Sequence, residues 1–235
     1  MIEVDRLTRV FPGRSRPAVD DVSFSVGQGE VVALVGRNGA GKTSLLDVLA
    51  TLLLPSRGRA RVAGHDVERE APAVRRAVGY GGTEPRGFYT RLTARQNLAF
   101  FAALHPGIAD VAARIRELAD ALELHALLDL PVRTCSDGMQ QRVVIARALL
   151  GSPRVLLLDE PARALDVIAR EQVAQVIRDR LSAGSLGAVL YATHDLESLP
   201  DACTRMLVMT GGRLVHDGPP DAAIAKRLLA AEGAA

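Results

Sequence analysis

The amino-acid sequence predicts an α/β fold around a largely parallel sheet, with a purely helical segment set into it. Three observations carry this expectation. Short apolar runs alternate with helical stretches in both the N-terminal and the C-terminal parts of the chain. A glycine-rich turn joins one of those runs directly to a helix at residues 36–43. From about Thr93 to Leu150, helical periodicity continues without a strand-like run. With 235 residues, 48% hydrophobic and 24% charged, the chain has a folded protein's balance and enough length for a sizeable core.

Residues 1–11 read as a strand, followed by the loop PGRSRPA. DVSFSV then alternates with period two and meets the turn GQGE. EVVALVG is a short apolar run ending in glycine, as expected of a strand buried on both faces. KTSLLDVLATLLLP reads as a helix, with apolar faces at Leu45, Leu46, Val48, Leu49 and Leu52 and a stop at Pro55. GRARVAGHDV and AVGYGG read as two more short strands. TARQNLAFFAAL, IADVAARIRELADAL and GMQQRVVIARALL form the helical insert. Strands return with VLLLDE, AVLYATH, and RMLVMT followed by GRLVHDG, and the helix VIAREQVAQVIRDRL lies between the first two. LLAAEGAA closes the chain as a fraying helix.

Composition excludes several classes. A net charge of +2, from 29 basic and 27 acidic residues, argues against a nucleic-acid-binding surface. Two cysteines, Cys135 and Cys203, make no disulfide framework and are expected to be reduced packing residues. No run approaches the ~18 apolar residues of a membrane span. The opening MIEVDRLTRVF mixes charged and apolar residues and does not read as a signal peptide. A cytoplasmic location is expected, and any action at a membrane needs another subunit to supply the span. Of the basic residues only Lys42 and Lys226 are lysines.

One of those two lysines sits in a phosphate cradle. Gly36-Arg37-Asn38-Gly39-Ala40-Gly41-Lys42-Thr43 fits G-x-x-x-x-G-K-[ST] in its required place, after a strand and at the start of a helix. Glycines let successive N–H groups curl inward onto phosphate oxygens, and the helix N-terminus adds its positive dipole end. Lys42 suits the β- and γ-phosphates as a compact point charge, where arginine's wide fork fits poorly. Thr43 offers its hydroxyl to Mg²⁺, and Ser44 is counted among the nucleotide contacts. A second acidic site follows in Val155-Leu156-Leu157-Leu158-Asp159-Glu160. Acids at the C-terminal end of a parallel strand lie where such sheets bind ligands. Asp159 suits the Mg²⁺ shell, and Glu160 suits the general base that polarises an attacking water.

Cys135-Ser136-Asp137-Gly138-Met139-Gln140-Gln141-Arg142 resembles the LSGGQ-x-QR signature of ABC ATPases. RVVIARALLGSPRVLLLDEPARALD looks like that family without a gap, Ala164-Leu165-Asp166 resembles its D-loop, and Thr193-His194-Asp195 its switch-histidine loop. The resemblance covers nearly the whole chain, with the motifs in the family's order. It implies one ABC ATPase domain over residues 1–235. Residues of about 1–92 and 151–235 would form a P-loop catalytic core with an N-terminal antiparallel β part, and about 93–150 a helical subdomain. It also implies an ATPase using ATP and Mg²⁺, with His194 as a second catalytic residue and Phe11 stacking on adenine. Two such domains would dimerise head to tail, as a homodimer or heterodimer. Each ATP would be held by the phosphate loop of one subunit and by Ser136, Asp137, Gly138, Met139 and Gln140 of the other, with Asp166 at the interface. The helical insert would dock coupling helices of a membrane-spanning permease and hold the protein on the inner face of the membrane.

GFYTRLTARQNLAFFAALH looks most like drug- and polysaccharide-exporter subunits. The alternatives are a soluble non-transport ABC ATPase and a low-turnover half of a heterodimer. Two departures from the family stand out. Neither Thr83 nor Glu84 is the glutamine usual after the Gly79-Tyr80 strand, which makes Glu84 a candidate metal-shell group. Ala162-Arg163-Ala164 replaces the usual small polar pair and glycine.

Overall fold

A computed structural model describes residues 1–82, 87–196, 199 and 202–231. Its centre is a six-stranded sheet made of β3 (Val31–Val35), β6 (Val78–Gly81), β7 (Val155–Asp159), β8 (Ala188–Thr193), β9 (Arg205–Thr210) and β10 (Arg213–Gly218). The spatial order is β10-β9-β3-β8-β7-β6. All neighbours run parallel except the terminal β9–β10 pair. Every residue of β3, β7 and β8 is buried. That is the physical meaning of their unbroken apolar runs: alternate side chains feed two cores. Ala33, Val35, Leu156, Leu158 and Val189 point into the core shared with the helical insert. Val32, Leu34, Leu157, Leu190 and Ala192 point into the opposite core.

A four-stranded antiparallel sheet covers that opposite core, ordered β2-β1-β4-β5. It comprises β1 (Ile2–Arg9), β2 (Val19–Val26), β4 (Arg57–Val62) and β5 (His65–Asp66). Ile2, Val4, Val22, Phe24 and Val62 meet Leu45, Leu46, Val48 and Leu49 of helix α1 (Lys42–Leu49) across it. The segment GRARVAGHDV, expected to be one strand, folds back on itself as β4 and β5. Ala63 and Gly64 both take positive φ, 52° and 86°, the pattern of a two-residue type I′ hairpin. Helix α1 ends at Leu49, well before Pro55, because Thr51 turns the chain at φ 61°. A short helix α2 (Ala71–Ala77), absent from the sequence-based expectation, precedes β6.

The helical insert contains α3 (Ala94–Ala102), α4 (Val111–Ala121), two short 3₁₀ turns and α5 (Asp137–Leu149). Helix α6 (Val167–Ser182) leads into β8, and α7 (Ala222–Ala231) closes the described chain. The N-termini are well specified. Thr93 and Gln96 form a reciprocal capping box on α3, while Asp110, Ser136 and Asp166 cap α4, α5 and α6. Cys135 and Cys203 are buried free thiols, and burial pushes both up from the ordinary thiol range.

Candidate nucleotide-binding site

Strand β3 delivers the glycine-rich loop to the C-terminal edge of the parallel sheet, and α1 starts there. Two of its glycines are dictated by space. A Cβ on Gly36 would lie 2.5 Å from the Met209 carbonyl oxygen, and one on Gly41, at φ 104°, would collide with the Ala18 carbonyl. The loop therefore packs tightly against the neighbouring β9 and the chain before β2. Lys42 is buried, and its Nζ donates to the carbonyls of Gly36 (2.7 Å) and Arg37 (3.3 Å) and lies 3.6 Å from Glu160 Oε1. Burial lowers the ammonium's pKa, opposed by the charges of Glu160 and Asp159.

The acids arrive on β7, beside β8. Thr43 Oγ1 donates to Asp159 Oδ2 at 2.6 Å. Asp159 Oδ1 is buried without a hydrogen-bond partner, and burial holds this carboxyl above its usual range despite the Thr43 hydrogen bond. A buried carboxylate oxygen aimed at nothing beside a threonine hydroxyl fits a hard divalent cation. Glu160 leaves the strand at φ 51°, a conformation that costs an L-residue energy and gathers at functional sites. Its backbone N–H donates to Ala192 O at 2.8 Å, which fixes that turn to β8. Thr193 Oγ1 donates to Glu160 Oε2 (3.1 Å), and His194 Nδ1 lies 2.7 Å from Glu160 Oε1. The Glu160 carboxylate is thus gripped at both oxygens.

These groups share one open cavity of about 780 Å³. Of the residues that the sequence analysis assigned to the site, Asn38, Gly39, Gly41, Lys42, Thr43, Ser44, Asp159, Glu160 and His194 line it. The loop Gly13–Ala18, Arg163 and the Gly211–Gly212 turn line it too, and none of these was anticipated. Thr193's grip on Glu160 was also missed; its signal was position alone, the last residue of the strand next to the acids. Arg37 is exposed and Ala40 buried, both in the loop. Phe11 does not line the cavity: its half-buried ring lies under the Arg9 guanidinium, 4.7 Å from the centroid. Thr83 and Glu84 lie outside the described residues.

The signature residues stand elsewhere. None of Ser136–Gln140 lines this cavity. Ser136 and Asp137 are exposed at the start of α5, where Ser136 Oγ accepts from Met139 N–H (3.3 Å). Gln140 Nε2 donates to Cys135 O (3.0 Å), and Met139 packs on the core. A Cβ on Gly138 would lie 2.6 Å from Ala164 O, so this glycine lets α5 touch the loop that follows Glu160. Asp166 is exposed and accepts from Ala169 N–H (2.8 Å) at the start of α6.

A glycine-rich loop at a strand–helix junction, with a lysine, a threonine and strand-end acids, defines a P-loop nucleotide site. Residues 19–163 match the ABC transporter family. The chain is 34% identical over 228 residues to the ABC transporter ATP-binding protein NatA of Bacillus subtilis (strain 168), covering 93% of this chain and 89% of NatA. It is 39% identical over 207 residues to the daunorubicin resistance ATP-binding protein DrrA3 of Streptomyces coeruleorubidus, covering 88% and 65%. It is also 39% identical over 211 residues to the taurine import ATP-binding protein TauB of Mesorhizobium japonicum, covering 89% and 79%. The fold matches the ATP-binding cassette MJ0796, solved as a dimer in a post-hydrolysis state with ADP and Pi, at a TM-score of 0.85 and 24% identity over 94% of this chain and 99% of that one. The chain belongs to the ABC transporter family and is one of its ATP-binding, ATP-hydrolysing proteins.

Proposed function

We propose that this ATPase powers export through a separate membrane-spanning permease, and that it works as a head-to-tail pair. The observation that carries the reading is a split. Lys42, Thr43, Asp159, Glu160 and His194 converge on one cavity, while the signature residues stand exposed outside it. A second chain turned head to tail would bring its Ser136–Gln140 segment, at a helix N-terminus, over the bound nucleotide. That the MJ0796 cassette was solved as a dimer supports pairing of two chains. Among the described residues no helix is long and apolar enough to cross a membrane. An apolar groove of about 580 Å³, lined by Leu52, Tyr80, Phe101 and Leu104 with Arg75 and Arg76, offers a seat for a permease segment. Leu52 and Leu104 are 59% and 64% exposed there. Export is favoured by the GFYTRLTARQNLAFFAALH stretch and by the resistance role in DrrA3's name; TauB is named for import.

In this reading the loop N–H groups and Lys42 hold the β- and γ-phosphates. Thr43 Oγ1 and Asp159 would hold Mg²⁺, which supplies charge neutralisation on the phosphate oxygens when bound. Glu160 takes the proton of the attacking water as it approaches the γ-phosphorus. Thr193 and His194 orient that carboxylate from either side, one on each oxygen. Phe11 remains the candidate adenine neighbour and Glu84 a candidate metal-shell group. Glu160→Gln tests the assignment. The amide keeps the shape and cannot take a proton, so steady-state turnover should fall roughly 10²–10⁴-fold while nucleotide affinity stays within about twofold. Undiminished phosphate release would remove Glu160 from the base role.

A further inference from the structure

Arg163 is the departure from the family pattern that the mechanism leaves unused. It sits at the exposed apex of a turn spanning residues 161–164. The turn is pinned on both sides, since Ala162 and Leu165 are each only 6% exposed. Arg163 N–H donates to Glu160 O (3.2 Å) and Leu165 N–H to Ala162 O (3.2 Å). The Ala164 carbonyl rests against Gly138 of α5. The backbone under this arginine is therefore fixed relative to both the general base and the signature helix.

The side chain is the free part. It lines the cavity beside Lys42, Glu160 and His194. Among the described residues it makes no ion pair and no side-chain hydrogen bond. The cavity's acids are bonded to other groups, apart from the buried Asp159 Oδ1. Asp159 is bonded to Thr43, and Glu160 is held by Thr193 and His194 with Lys42 at 3.6 Å. Lys42 is also engaged, by the Gly36 and Arg37 carbonyls. What remains is a guanidinium, always charged and without an internal partner among the described residues, on the wall of a cavity that also holds the phosphate loop and the general base. A guanidinium fork matches phosphate oxygens bidentately, and such charge-assisted bonds are the strong ones.

We infer that Arg163 binds the terminal phosphate of a nucleoside triphosphate held in its own chain, making this site prefer triphosphate over diphosphate. The inference rests on the nucleotide-site reading above. The geometry supports action within one chain because the arginine lines the same cavity as the phosphate loop that it would complement.

The test compares affinities for a non-hydrolysable ATP analogue and for ADP, measured on dilute monomer for wild type, Arg163→Ala, Arg163→Lys and Arg163→Glu. Losing a charge-assisted pair should weaken the triphosphate about tenfold in Arg163→Ala. ADP affinity should move less than about twofold. Lysine should recover part of the loss as a point charge, and glutamate should deepen it by repulsion. A triphosphate-to-diphosphate preference unchanged in Arg163→Ala would overturn the inference. So would an effect seen only at protein concentrations where dimers form, since that would place the contact across the interface. Lys42→Ala, run alongside, reports on the underlying reading separately. If it leaves both affinities intact, the nucleotide site itself is misassigned, whatever Arg163 does.

Discussion

The phosphate-loop site and the signature segment are both marked by short motifs, yet they are built in opposite ways. The first is preset within one chain: Lys42, Asp159, Glu160 and Thr193 are all buried and nearly every polar atom has a partner. In the proposed function the second is half a site. Ser136 and Asp137 are exposed, their only internal tasks among the described residues are capping and starting a helix, and they line no part of the cavity described above. Burial lets the first site preset its charges before any ligand arrives. Exposure leaves the second free to be covered by another surface, which suits a switch closed by ligand and opened by hydrolysis.

Lys42→Ala should break the preset site most severely. It removes the only ammonium in the loop from a backbone cradle, and nucleotide affinity should fall on the order of a hundredfold. Equilibrium binding of a fluorescent nucleotide measures this; a loss below about threefold would refute the cradle's dependence on that charge.

Gly138→Val addresses the join between the two regions. The new Cβ would crowd the Ala164 carbonyl at 2.6 Å, so α5 and the turn after Glu160 must separate. Small displacements of catalytic groups are costly, and turnover should fall between about tenfold and a hundredfold. Nucleotide affinity of the single chain should hardly change, because Gly138 is no part of that chain's cavity wall. Normal turnover in this variant would show that the contact is incidental.

The smallest effect concerns protons on Asp159. Burial holds this carboxyl above the ordinary range, so its charged form is disfavoured. A cation at Oδ1 needs the charged form. Lowering the pH therefore sets protons against Mg²⁺, and the Mg²⁺ concentration for half-maximal activity should rise as the pH is lowered from neutrality into the ordinary carboxylate range. Because the carboxyl is raised, the rise should begin above the usual carboxylate range. A Mg²⁺ requirement flat across that interval would argue that Asp159 does not meet the metal.

Much of the fold was legible because burial on both faces leaves an unmistakable mark. The runs at β3, β7 and β8 are apolar throughout, since each residue enters one core or the other. Helix α2 left a weaker mark: it is seven residues long and buries only Val74. Leu52 and Leu54 misled in the other direction. They prolong the apolar pattern of α1, yet they lie beyond the helix and are 59% and 58% exposed. The hairpin between β4 and β5 turns on Ala63 and Gly64, and alanine at positive φ carries none of the usual turn chemistry.

The site divides in the same way. Lys42, Thr43, Asp159 and Glu160 belong to contiguous motifs whose chemistry can be read locally. The grip of Thr193 on Glu160 depends on the pairing of β7 with β8, a contact between residues 33 positions apart. The exposure of Arg163 to the cavity likewise follows from a turn pinned between Glu160 and α5, which no local spacing announces.

The central claim is that the site is completed by a second chain's signature segment. Light scattering during size-exclusion chromatography of the Glu160→Gln protein with Mg²⁺ and ATP tests it most directly. With hydrolysis blocked, ATP should hold two chains together, so the mass should double on adding ATP and stay single with ADP. Adding Ser136→Arg to the same protein puts a bulky cation at the exposed cap and should return it to a monomer that still binds ATP. A Glu160→Gln protein that binds ATP yet remains a monomer would contradict the account, as would an ATP-dependent dimer indifferent to Ser136→Arg.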